Sequence, residues 1–375
     1  MSYHGRFEQA KQPKQPGKKK GLKIFLIVIA VILALLLILA GAAYLYLQSK
    51  LKKMNIIELP KDTYAYTEPT DEVTRPPETG AAETMEATTE ATVPKMTADD
   101  IINILFVGQA ARAGEEETMA DSTMLVSINT YTKEITCMSI LRDSFVKLPD
   151  YKGHQCGRAK FTVCYNLGYQ WGGGTAGGME MTNICLKDNF GIEVDYNVEV
   201  SFDSFIKMID YIDGVDIDLT QAEADYLNKD TLYVKRTIEP GVQRLQGMEA
   251  LSYARMRKAA GDSESDIKRT ERQRKVVEAL LEKFRYRSIA DLNKWIDILL
   301  PMVSTTMTPT DVTKLAARVL PIFSELKIKG ATVPMEGWGD MVDIYQDGQI
   351  HSVMRFDNAK EKKLIRAITE AEVSD

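Results

Sequence analysis

Hydrophobic residues are distributed along this chain in contrasting ways. From Ile24 to Leu47 they run without a charge, IFLIVIAVILALLLILAGAAYLYL. About 20 helical residues cross the hydrocarbon core of a bilayer, whereas a signal-peptide core is only about 7–15 residues long. Tyr44 and Tyr46 stand at one end, where interfacial aromatics sit. The pattern predicts a transmembrane helix over 24–48. Residues 49–98 nearly lack large apolar side chains. Their EPTDEVTRPPETGAAETMEATTEATVP is rich in Thr, Glu and Pro and cannot offset its own ordering entropy. A disordered spacer is expected there, holding a domain off the membrane.

From about residue 99 the pattern becomes that of a folded domain. Asn103–Val107, Met124–Ile128 and Ile135–Ile140 read as buried strands, followed by a helix across about 177–189 and a strand at Tyr196–Val200. Phe202–Ile212 has apolar positions at helical spacing and stops at Gly214; Val215–Leu219 reads as a short strand. Helices are expected over about 247–257 and 266–285, and helical structure over 288–328, with amphipathic stretches at Trp295–Pro301 and Val312–Phe323. A strand near Val342–Tyr345 and a helix over about 357–371 close the chain. This alternation predicts an α/β domain of three α-β-α layers, with 99–286 as its core and 287–375 as its C-terminal extension. Trp171–Gly178, WGGGTAGG, lacks the Lys-Ser/Thr of a phosphate-binding loop and reads as a flexible insertion.

Charge narrows the picture. The chain holds 47 Lys/Arg and 53 Asp/Glu; the first 53 residues hold ten of the former and only Glu8 of the latter. The remainder therefore has 37 basic against 52 acidic residues, a net −15, which disfavours nucleic-acid binding. Seven of the basic residues precede the predicted span and three follow it. The basic tail, residues 1–23, is then cytoplasmic and the bulk of the chain outside the cytoplasm. With only His4, His154 and His351, a His-centred zinc site or a Ser-His-Asp triad is disfavoured. Cys137 reads as a buried thiol, and Cys156 and Cys164 flank a loop across which they are candidates to pair.

Against that acidic background, Tyr253–Lys275, YARMRKAAGDSESDIKRTERQRK, stands out as basic. A solvated helix face is the ordinary reading of such a stretch. Helical geometry argues otherwise: the stripe Val276, Val277, Leu280, Leu281, Phe284, extended backward by threes and fours, lands on Gln273, Arg272 and Arg269. Arg274, Lys275, Glu278 and Glu282 fall on the opposite, wet side. Arginine on an inward face is costly unless it meets an anion. Arg255 and Arg257, two apart, diverge at the end of the preceding helix. Arg142 follows the apolar strand that ends at Leu141, at the strand edge where open α/β sheets bind ligands. Asp143 either orients Arg142, caps the next turn or acts as a base. Asp121, before the second strand, is either a turn residue or a Mg²⁺ ligand. Several guanidinium forks beside an amide and a carboxylate suit a phosphate or pyrophosphate, and a membrane-anchored domain placed outside the cytoplasm suggests a lipid-linked one.

These segments together resemble the LytR-CpsA-Psr family of bacterial cell-envelope proteins: NILFVGQAAR, DSTMLVSIN, SILRDSFVKLP, IDGVDIDL, LQGMEALSYARMRK and SDIKRTERQRKVV, behind a basic tail, a single span and a spacer. The resemblance implies a three-layer α-β-α domain with an apolar pocket for a polyprenyl chain. It implies transfer of an anionic glycopolymer, of teichoic acid or capsule type, from a polyprenyl-pyrophosphate carrier to peptidoglycan, assisted by Mg²⁺ or Mn²⁺. By position it implies pyrophosphate binding by Arg112, Arg142, Arg255, Arg257, Arg269 and Gln273, catalytic roles for Arg142, Asp143, Arg269 and Gln273, and metal binding by Asp121; Asp266 falls on the family's aspartate ahead of Arg269. Two positions depart from the family's pattern: Ala110 stands where it usually has Asp, and Met119 where it often has Arg. Their loss motivates an alternative, a non-catalytic scaffold that binds the lipid pyrophosphate or the polymer. A cytoplasmic regulator of transcription is disfavoured, because only a short basic tail lies on that side.

Overall fold

The computed structural model describes residues 49, 51–59, 100–109, 120–257, 259, 265–285, 297–335, 339–346 and 349–369. The predicted span, the basic tail and most of the spacer lie outside them. Among the described residues no helix is long and apolar enough to cross a membrane. The chain divides into two units between Lys52 and Lys53; of the first, only Ser49, Leu51 and Lys52 are described.

From Lys53 onward the elements are, in order, β1 (Asn55–Ile56), β2 (Ile101–Gln109), β3 (Ala120–Asn129), β4 (Glu134–Ile140), β5 (Phe145–Lys147), β6 (Arg158–Lys160), α1 (Thr162–Gly172) and α2 (Thr175–Phe190). Next come β7 (Tyr196–Ser201), α3 (Phe202–Tyr211), β8 (Val215–Leu219), α4 (Gln221–Lys229), β9 (Gly241–Leu245), α5 (Gly247–Arg255) and α6 (Ser265–Arg285). The chain closes with β10 (Val303–Thr305), α7 (Pro309–Val319), β11 (Lys327–Val333), β12 (Gly339–Gln346), β13 (Gln349–Phe356) and α8 (Asn358–Thr369). A mixed seven-stranded sheet runs in the order β1-β10-β7-β2-β3-β4-β11. β2 is central and buried on both faces, which is why its sequence is a continuous apolar run rather than an alternation.

One face of the sheet supplies Leu105, Leu125, Met138 and Ile140 to a core completed by Met179, Met181, Leu186 and Phe190 of α2 and Ile365 of α8. On the other face lies α6, whose Arg274 donates to Ser139 Oγ of β4 at 3.2 Å and to the Ala331 carbonyl of β11 at 3.1 Å. A second core gathers under the β8–β9 hairpin, from Ile209 through Ala250 and Tyr253 to Val276.

Several expectations change. Arg274 and Glu278, assigned to a wet side, face the sheet: a Cβ on Gly330 would lie 3.0 Å from Arg274 Nε and 3.6 Å from Glu278 Oε1. α6 is gripped from two sides, so its apolar stripe marks only one of its buried faces. The Trp171–Gly178 segment is not a flexible insertion but the tight turn between α1 and α2. Gly173 (φ +80°) and Gly174 (φ +98°) adopt backbone that side chains disfavour. Around them Gly168, Gly172, Gly177 and Gly178 let the helices touch: a Cβ on Gly168 would lie 2.7 Å from Met181 Cβ, and one on Gly178 2.8 Å from the Tyr165 ring. The region read as helical over 288–328 contains α7 but also β10 and the start of β11. The strand near Val342 is half of a hairpin, β12–β13. Residues 54–59, assigned to the spacer, join the fold: β1 pairs in parallel with β10, Ile57 N–H donates to the Thr305 carbonyl at 2.7 Å, and Ile57 and Leu59 pack on the first core. Cys156 and Cys164 do not pair; all four cysteines are free thiols, and Cys137 is buried as expected.

Candidate functional site

The site forms where β4 runs out. After Ile140 the chain turns through Leu141–Ser144 into β5, closed by Ser144 N–H on the Leu141 carbonyl at 3.1 Å. Arg142 and Asp143 occupy the turn, facing the first turns of α6. There Asp266 and Arg269 sit at i, i+3 and therefore meet on one helix face. The charges alternate in a line. Arg269 Nη2 lies 2.9 Å from Asp266 Oδ1, Arg142 Nε 3.3 Å from the same oxygen, Arg142 Nε 3.6 Å from Asp143 Oδ2, and Lys160 Nζ of β6 2.8 Å from Asp143 Oδ1. Three cations thus enclose two carboxylates, leaving one positive charge in excess.

Within that line Arg142 approaches both carboxylates through Nε, which is buried and has no hydrogen-bond partner among the described residues; the side chain is 26% exposed. Asp266 Oδ2 is buried with no hydrogen-bond partner among the described residues. Arg269 is 4% exposed, so its charge is presented in a place of low water access, where electrostatic contacts gain strength. One turn on, Gln273 accepts a hydrogen bond from Ser122 Oγ of β3 at 2.9 Å. That bond ties α6 to the strand position next to Asp121. Arg269 and Gln273 therefore share the inward stripe derived from the sequence.

Arg272, on the same stripe, has a different use. It is 5% exposed and pairs with Glu223 of α4, equally covered, at 2.8 Å; its Nη1 also donates to the Met256 carbonyl at 3.2 Å. Burial pushes the Glu223 carboxyl up, but the Thr220 amide and the Arg272 guanidinium outweigh burial and hold it below the usual range. This pair ties α6 to α4.

Arg255 and Arg257 are exposed and are not brought into the ion-paired line. Arg255 lies over the rings of Phe202 (5.3 Å) and Tyr233 (5.9 Å) and donates to Tyr233 OH at 3.2 Å. Arg112, Ala110, Glu115–Glu117, Met119 and the side chain of Asp121 fall outside the described residues. Among the described residues no group of three or more His, Cys, Asp or Glu is arranged to hold a metal ion. Asp143 and Asp266 are already occupied by cations, so the described residues do not make a magnesium site. Lys160 and Ser122 carried no signal in the sequence: each is a lone polar residue in a short or ordinary strand, and only the fold places it beside Asp143 or Gln273.

The LytR_cpsA_psr family matches residues 72–362. The regulatory protein MsrR of Staphylococcus aureus is 31% identical over 254 residues, covering 67% of this chain and 69% of MsrR. The polyisoprenyl-teichoic acid–peptidoglycan teichoic acid transferase TagT of Bacillus subtilis is 31% identical over 205 residues, 53% of this chain and 57% of TagT. A solved structure of TagT with bound octaprenyl pyrophosphate lipid superposes with a TM-score of 0.52 at 20% sequence identity, covering most of each chain; at that identity it establishes the α/β fold. With a match from residue 72 to 362 and a relative aligned over two thirds of both chains, this chain belongs to the LytR_cpsA_psr family.

Proposed function

We propose that the chain transfers an anionic glycopolymer from a polyprenyl-pyrophosphate carrier to peptidoglycan. Family membership and the reaction named for TagT support this reading. The single observation that carries it is the gathering of the Arg142 and buried Arg269 guanidiniums on one oxygen of Asp266, at 3.3 and 2.9 Å. Guanidinium forks match phosphoryl oxygens bidentately.

The proposed reaction is a displacement at the sugar-side phosphorus. A hydroxyl of the acceptor glycan forms a new phosphodiester, the P–O bond to the lipid-side phosphate breaks, polyprenyl phosphate leaves with the electron pair, and the hydroxyl proton passes to that departing phosphate or to water. Such chemistry depends on position and charge stabilisation more than on covalent help. Arg142 and Arg269 take up the charge that grows on the departing phosphate. Asp266 sets both guanidiniums, and Gln273, fixed by Ser122, borders the same space. Both oxygens of Asp143 face cations, the arrangement of an orienting group rather than of a base. Asp121, whose side chain lies outside the described residues, is the residue we assign to Mg²⁺ or Mn²⁺, which when bound would offset negative charge on the phosphates. Residues 24–48 are proposed to span the membrane with the N-terminus cytoplasmic, so that the three-layer domain meets its lipid-linked donor outside.

The test uses the full chain in detergent with a synthetic polyprenyl-pyrophosphate disaccharide and peptidoglycan oligomers. Release of polyprenyl phosphate with a new phosphodiester is expected, and Arg142→Lys, which keeps the charge but not the fork, should lower turnover by about 10²-fold or more. Full activity in that variant would refute the role given to the fork. Ala110 and Met119 favour a second reading, a scaffold that binds the donor without turning it over. Tight binding of the donor without release at any Mg²⁺ concentration, together with turnover by Ala110→Asp, would establish that reading instead.

A further inference from the structure

The ion-paired line does not stop at Lys160. β5 and β6 pair antiparallel with Phe145 opposite Lys160, Val146 opposite Ala159 and Lys147 opposite Arg158. Directly opposed residues share a face and alternate residues return to it. Val146 is fully buried in the first core, so Phe145, Lys147, Arg158 and Lys160 share the outer face. The third member comes from the far end of the chain. β13 docks beside this small sheet, with Met354 N–H on the Asp143 carbonyl at 2.8 Å. It brings Arg355 over the Phe145 ring at 5.8 Å, while Arg158 lies over the same ring at 5.4 Å. One ring thus serves both guanidiniums.

Four cations therefore gather within one small face, although residues 54–375 together carry a net charge of −15. Like charges drawn together repel, and such a cluster is favourable when a ligand of opposite sign completes it. Lys147 and Arg355 make no ion pair among the described residues, although Asp188 is within electrostatic reach of Lys147 and Asp340 stands opposite Arg355 on β12; Lys160 is shared with Asp143. The patch is continuous with the site, since Asp143, which faces both Arg142 and Lys160, is two residues from Phe145.

We propose that this face is a binding subsite for the phosphate-bearing chain of the donor, receiving the polymer repeats next to the pyrophosphate held at Arg142. The inference rests on the transferase reading, which already makes the donor anionic, and adds the place where the phosphates of its repeats are received. Spaced guanidiniums suit spaced phosphates, and Phe145, covered by both, acts as their support and not as a platform for a sugar ring.

The experiment compares two donors in the full chain: a polyprenyl-pyrophosphate disaccharide, and the same disaccharide extended by a glycerol-phosphate oligomer. The variant is Arg158→Gln/Arg355→Gln, with Arg355→Gln alone as the milder change, and thermal melting confirms that each is folded. The expected result is a KM for the extended donor raised about tenfold in the double variant, with the disaccharide donor unaffected and the difference erased by high salt. Equal KM values for wild type and variant on the extended donor, or an equal loss on both donors, would overturn the subsite. Direct binding of a fluorescent glycerol-phosphate oligomer separates this inference from the transferase reading. If neither donor is turned over, oligomer binding by wild type that the double variant loses still supports the subsite, and binding that is absent, or the same in both, refutes it.

Discussion

Arg272 and Arg269 occupy one stripe of α6, and replacing Arg272 tests whether the two have the separate uses assigned to them. Arg272→Met leaves the Glu223 carboxylate buried without its guanidinium. At 2.8 Å and an effective dielectric of about 20, the gross attraction is on the order of 6 kcal/mol, which desolvation of the two ions largely offsets. Removing one partner is therefore expected to cost about 3–5 kcal/mol, while removing both is nearly neutral. Glu223 also completes the capping box of α4 with Thr220. The second substitution should accordingly be Glu223→Gln, since Gln serves at that position. Each single variant is expected to lower Tm by roughly 6 °C or more; the double variant should recover most of the loss. Unfolding followed by near-ultraviolet circular dichroism measures this. Because the folded Glu223 is held below its usual range, its contribution is present above the unfolded value of about 4.3 and lost as pH falls through the folded one. The gap between wild type and Arg272→Met should thus narrow in acid. At a temperature where Arg272→Met is folded, transfer should persist. An Arg272→Met protein with wild-type Tm and no transfer would refute the division of roles.

The other side of the sheet offers two further tests. Gly177→Val is expected to destabilise by about 1–3 kcal/mol or more by melting, because a Cβ there collides with Gly168 O and Gly172 Cα across the helix seam; a neutral outcome would mean that the helices separate freely. Glu199 of β7 is buried, accepts hydrogen bonds from Tyr165 OH and, at 3.2 Å, from Thr175 Oγ1, and has its carboxyl pushed up because burial outweighs those donors. An acid whose folded value lies above the unfolded one loses stability as pH rises between the two, so Glu199→Gln should gain on wild type from pH 4 to pH 7; a pH-independent difference would contradict it.

The sheet strands and the inward stripe of α6 were legible because burial leaves a periodic trace in the sequence. Apolar runs at Asn103–Val107 and Ile135–Ile140 locate β2 and β4, and Val276 and Leu280 carry the stripe back to Gln273 and Arg269. What escaped depends on proximity rather than period. α1 is built around Gly168 and Gly172, whose value lies in an approach to Gly177 that no local pattern shows. Arg274 bonds Ser139 and Ala331, residues distant in sequence, so its burial cannot be read from α6 alone. Lys160 lies in a short strand whose alternation gives a face but no neighbour, and Arg355 reaches Phe145 only because the β12–β13 hairpin folds back to Asp143.

The pairing of β1 with β10 changes the mechanical meaning of the Thr/Glu/Pro-rich segment. Residues 59 and 100 both belong to the folded unit that begins at Lys53, so the chain between them joins two points of one unit and is not a link in series. A load applied at Lys53 is borne first by the hydrogen bonds that seat Asn55–Ile57 on the edge of the sheet. Lengthening that connection adds only a logarithmic closure term.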